Sequence, residues 1–191
     1  MNGIQEVRGS IPLISTNEKT SLWGVFLLFG GFSMENKNLS ERAQRAKRYF
    51  AEGYNCAQAM VLAFADVVAV PQDALLKISS SFGGGMGRLR EVCGAVSGMF
   101  MVLGLLSGYD TPETGEKKKK LYAEVQELAH RVEEENGSIV CRELLALKEK
   151  RQDPTPDART PQYYQKRPCL QLVAATAEIF ENYLKEQGLI K

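Results

Sequence analysis

Apolar positions recur at helical spacing from Ser40 onward, and strand-like alternation is absent. Ser40 is a good N-cap, and Glu41 to Phe50 is rich in helix formers with Gly53 as a stop. Asn55 caps a second helix, Cys56 to about Val68. Ala57, Ala59, Met60, Val61, Leu62 and Phe64 make it apolar on nearly every side, which predicts burial. Pro71 and Asp73 open a third helix reaching about Phe82, followed by the turn Gly83-Gly84-Gly85-Met86-Gly87. A fourth runs from Cys93 to about Gly108 and has no charge between Glu91 and Asp110. Its length touches the lower edge of the membrane-span range. Amphipathic neighbours and the lack of a second long span make it the central helix of a soluble bundle instead. Gly94 and Gly98, four apart, allow a partner helix to come close.

A fifth helix, about Glu113 to Asn136, carries the stripe Leu121, Val125, Leu128 and Val132. Gly137 stops it, and Ser138 reads as the cap of a sixth, Ile139 to about Leu147. Pro154, Pro156 and Pro161 mark a linker. The last helix starts at Pro168 and runs to about Gln187, with Gly188 beyond. The pattern predicts an all-α, single-domain bundle of about six to seven helices around a central apolar, glycine-rich helix.

Residues 1–33 look different. Leu22 to Phe32 is an apolar run behind Lys19, too short for a membrane helix and not followed by an A-x-A cleavage site. Gly30-Gly31 requires purine-rich codons just before Met34, as a ribosome-binding site would. The expectation is a disordered, spurious or processed extension (1–33) before a four-cysteine helical domain (34–191).

Composition then removes function classes. With 24 Lys+Arg against 23 Asp+Glu there is no basic footprint for nucleic acid. A single histidine, His130, argues against multi-histidine metal centres and histidine-assisted nucleophiles. His130 and Tyr54 read as surface and packing residues.

The four cysteines hold the candidate chemistry. Cys56, Cys93, Cys141 and Cys169 each fall in the first turn of an expected helix. Unpaired N–H groups and the positive dipole end are found there, and both favour a thiolate. A thiolate attacks disulfides, ligates metals or reduces substrates. No C-x-x-C is present, so zinc-ribbon, thioredoxin and haem-attachment patterns are missing. Four converging thiolates suit an iron–sulfur cluster or a zinc ion, and two redox pairs are the alternative. Gly84 and Gly85, with Gly94 at the following helix, would let backbone approach the Cys93 sulfur or its cofactor. Arg88 and Arg90 offer positive potential beside it, and Glu91 a helix cap. Phosphate-loop patterns are missing from these glycines.

The ordered set Gly53-Tyr54-Asn55-Cys56-Ala57-Gln58-Ala59, Phe82 to Gly87, Cys93-Gly94-Ala95-Val96-Ser97-Gly98, Cys141-Arg142-Glu143-Leu144 and Cys169 resembles the C_GCAxxG_C_C family. These are small four-cysteine proteins described as redox-active, and the resemblance covers about residues 39–185. It implies that Cys56, Cys93, Cys141 and Cys169 are the family's cysteines. It also implies a transporter-associated physiology. The domain is similar to part of split-Soret cytochromes, and without haem-attachment motifs only their iron–sulfur site carries over.

The resulting expectation is a cytoplasmic redox or electron-transfer protein binding an iron–sulfur cluster or another metal. Its rivals are a metal-free thiol–disulfide protein and a zinc-stapled interaction module. Expected partners are a redox protein or a transporter-associated protein, with no nucleic acid and no stable membrane insertion. A second copy of the chain is a candidate to complete the site.

Overall fold

The computed structural model describes residues 39–112 and 115–191, so the expectations for residues 1–33 and for a start at Met34 lie outside the described residues. Within them the protein is all-α. Helix α1 (Glu41–Ala51) starts where Ser40 Oγ accepts the Ala43 N–H at 3.3 Å. It buries Ala43, Ala46 and Phe50. Helix α2 (Cys56–Ala63) is opened by a reciprocal cap: Asn55 accepts from the Ala57 and Gln58 N–H groups, and Gln58 accepts from Asn55 N–H. All but one of its residues, Gln58, are buried, in keeping with a helix apolar all round.

That helix ends earlier than its apolar run suggested. The chain tightens into a 3₁₀ turn at Ala65–Val67, where Asp66 is held by Arg42 at 2.6 Å and Arg45 at 3.2 Å. Helix α3 (Gln72–Ser80) follows, then one irregular helical turn, Gly83–Met86.

Helix α4 (Gly94–Ser107) is the central element, with Cys93 as its N-cap. A Cβ on Gly98 would stand 2.8 Å from the Ala57 carbonyl oxygen and the Met60 Cβ, so the two glycines permit close contact with α2. Helix α5 (Gly115–Asn136) buries Leu128 and Val132, with Leu121 and Val125 packed at the edge of the core. Helix α8 (Cys169–Glu186) lies along α1 and closes the bundle with Phe180, Tyr183 and Leu184. Phe64 meets Phe180 at 4.8 Å between ring centroids. No helix among the described residues is long and apolar enough to cross a membrane.

Two expectations fail between α5 and α8. The sixth helix shrinks to α6 (Cys141–Leu144), because Val140 is extended and bridges Val92. Cys93 N–H donates to the Ile139 carbonyl at 2.8 Å, and Cys141 N–H to the Glu91 carbonyl at 2.6 Å. Tertiary pairing therefore takes the backbone groups that a longer helix needs. Ser138 Oγ accepts the Val140 N–H but does not cap the helix. Ala146, at φ 49°, ends the segment. The linker is not wholly irregular either: Thr160 caps a short helix α7 (Pro161–Lys166) with proline in its first turn.

Candidate functional site

The four cysteines come from four helix starts. Cys56, Cys141 and Cys169 are the first residues of α2, α6 and α8, and Cys93 is the N-cap of α4. All four line one cavity of about 50 Å³. Cys56, Cys93 and Cys141 are buried, Cys169 is half-buried, and all are free thiols. Gly84, Arg90, Arg159, Tyr163 and Arg167 share the lining.

Close backbone approach brings the sulfurs there. A Cβ on Gly94 would lie 2.5 Å from Cys56 Sγ, so only glycine lets the start of α4 pass that thiol. Gly85, at φ 70°, would place a Cβ 2.6 Å from the Cys141 Cβ. The Val92–Val140 bridge then sets Cys93 and Cys141 on adjacent strands of chain. Gly84 is in the wall of the cavity.

Burial decides the state of the thiols. It raises Cys93 well above its ordinary value, with the neighbouring Cys56 and Cys141 adding to the effect and the Ala95 N–H opposing it. Cys169 is pushed up to about 12 by burial and by Cys56 and Cys141, against Arg167 and Arg159. Cys141 is also raised by burial, although Arg90 pulls the other way. The helix-start position therefore does not yield ready thiolates at these three sulfurs, contrary to the sequence expectation. Desolvation in a shared apolar cavity outweighs the first-turn N–H groups.

Arg90 faces the site: it is 2 % exposed, and its Nη1 lies 3.7 Å from Cys141 Sγ. Arg88 does not. It turns to the linker, donating to the Asp153 carbonyl at 2.6 Å and pairing with Asp157 at 3.1 Å. Glu91 is no side-chain cap; its carboxylate pairs with Arg142 at 3.0 Å. His130 is exposed beside Glu134, and Tyr54 packs edge-on against Tyr49.

Sequence reasoning missed the wall supplied by the linker. Arg159 stacks over Phe50 at 4.3 Å and Tyr163 at 4.8 Å, and its buried Nη1 has no hydrogen-bond partner among the described residues. A threonine N-cap followed by proline (Thr160-Pro161) was the readable sign of the helix that positions Tyr163. Nothing local in the sequence announced Gln152, which accepts from Arg90.

Among the described residues no group of three or more His, Cys, Asp or Glu is placed to hold a metal ion. The family model described as "Putative redox-active protein (C_GCAxxG_C_C)" matches residues 54–183. No curated protein and no solved structure matches the chain.

Proposed function

The chain belongs to the C_GCAxxG_C_C family of redox-active proteins, and from that premise we propose that Cys56, Cys93, Cys141 and Cys169 bind one iron–sulfur cluster for electron transfer. The observation that supports this most is the convergence of all four thiols, from four helix starts, on one cavity. The donor set fits the group: cysteine thiolates are the usual ligands of such clusters. The surroundings fit as well. Four thiolates around a cluster leave net negative charge, and Arg90, Arg159 and Arg167 line the same cavity.

The raised thiols point the same way. Neutral buried cysteines are poor nucleophiles toward an external disulfide. Bound iron removes the proton from a ligating thiol, so burial that hinders exchange chemistry does not hinder ligation. A cluster, when bound, supplies a one-electron couple. The chain's own residues then hold the sulfurs at fixed positions and exclude water, the buried floor coming from α2 and α4. Widely spaced free cysteines suit a reducing compartment such as the cytoplasm, with a redox carrier or transporter-associated protein as partner. Anaerobic purification with visible absorption, iron and sulfide analysis tests the reading. The expected product is coloured, with iron and inorganic sulfide in stoichiometric amounts. A colourless chain that takes up no iron on reconstitution contradicts it.

A further inference from the structure

We infer that Arg90 is the positioning residue of the cysteine site, a fixed positive charge clamped by Gln152 that offsets the negative charge of the ligating sulfurs. The inference rests on the cluster reading above. Four features of the geometry carry it. Arg90 is 2 % exposed, which takes its guanidinium out of water. Its Nη1 reaches Cys141 Sγ at 3.7 Å and the Gly84 carbonyl at 3.5 Å. Its Nε and Nη2 both donate to Gln152 Oε1, with Nε at 3.1 Å, so the group is fixed in orientation by a neutral partner. Its backbone sits at φ 63°, a left-handed conformation that a non-glycine residue keeps only where the surroundings impose it.

Among the described residues no carboxylate pairs with this charge. Asp157 senses Arg90 but is engaged by Arg88 at 3.1 Å and Arg167 at 2.7 Å, and Arg90 itself forms no ion pair among the described residues. A buried cation is costly unless something negative faces it. In the cavity the groups that become negative on ligation are the four sulfurs, and Arg90 already contacts one of them. Arg159, in the same wall and with its Nη1 unpartnered among the described residues, adds to the excess of positive charge. Gln152 suits the clamp because a neutral amide orients a guanidinium without cancelling its field; a glutamate there would cancel it.

The test uses the full chain, purified anaerobically, as wild type and as Arg90→Gln, Arg90→Lys and Gln152→Glu. Removing a positive charge favours the more positive, oxidised state. Arg90→Gln is therefore expected to bind iron and to lower the midpoint potential by at least tenfold in the redox equilibrium, about 59 mV for one electron. Arg90→Lys keeps the charge without the fork and falls between. Gln152→Glu leaves Arg90 in place and shifts the potential in the same direction, which covers the case in which Arg90→Gln does not fold. Unchanged potentials in iron-loaded Arg90→Gln and Gln152→Glu overturn the inference while leaving the cluster reading intact. If the wild type holds no iron, the cluster reading fails, and site-resolved iodoacetamide labelling decides the inference. Cys141 labelling at least fivefold slower in Arg90→Gln, with Cys169 unchanged, supports it; identical labelling of Cys141 overturns it.

Discussion

The two sides of the cysteine cavity are built on different physics. One side is the start of α2, α4 and α8, where the backbone is regular helix, Cys56 and Cys93 are buried and Cys169 is half-buried. The other comprises the glycine turn, α6 and the linker with α7, and its residues are held mainly by polar clamps. Arg88 and Arg167 grip Asp157, Arg90 grips Gln152, and Arg159 lies over Phe50. The first side fixes three sulfurs as a by-product of core packing. The second brings Cys141 and the positive charge, and it keeps Met86, Arg88 and Arg90 in left-handed backbone. Such conformations cost about 1–3 kcal/mol each, and they concentrate at functional sites. The contrast teaches that the core sets the fold while the irregular wall sets the chemistry.

Substitutions separate the two sides, beginning with the largest effect. Phe180→Ala empties a fully buried position against Phe64 and is expected to cost about 4 kcal/mol, read by denaturant unfolding. Any loss of iron there follows the loss of folded protein. Gly85→Ala forces a side chain into left-handed backbone and against the Cys141 Cβ. It is expected to cost about 2 kcal/mol, yet to remove more bound iron than Phe180→Ala does under conditions where both are folded. Equal iron content in the two variants would erase the distinction between core and wall.

A smaller effect is expected at the linker. Burial alone would raise the Asp157 carboxyl, but Arg88 and Arg167 outweigh it and hold the group below its ordinary range. A lowered carboxyl contributes stability above its unfolded value, about 3.9, and that contribution is lost as pH falls through the folded value. Asp157→Asn should therefore leave unfolding at neutral pH within about 1 kcal/mol, since the carboxylate is exposed, and remove part of the acid sensitivity of the linker. Limited proteolysis between residues 148 and 160 at pH 4 and pH 7 reads it. A variant as acid-sensitive as the wild type would show that Asp157 does not fasten this segment.

How much of this was legible in the sequence follows the same division. Ser40, Asn55 and Pro168 announced α1, α2 and α8 because caps act over three or four residues. The placement of Cys56 and Cys169 at helix starts followed from two of those local signals, Asn55 and Pro168. Gly94 was legible as a close-approach residue, though not that the group approached is Cys56 Sγ. Ser138 misled, because the Val92–Val140 bridge, formed by segments far apart in sequence, claims the backbone that a cap would have organised. The thiol states were misread for a similar reason. A helix N-terminus is visible in sequence, whereas the desolvation that overrides it at Cys93 and Cys169 depends on the assembled cavity. Arg90 was legible as a candidate charge, but its selection over Arg88 depends on Gln152.

The central claim is that four cysteines from two unlike walls act as one donor set. Iron and sulfide per chain, measured on the anaerobic full-length protein and on Cys56→Ser, Cys93→Ser, Cys141→Ser and Cys169→Ser, tests it most directly. Each single substitution is expected to remove or convert the visible chromophore and lower bound iron, with helicity by circular dichroism retained. Full iron and an unaltered spectrum in two or more of the four variants would contradict a shared site.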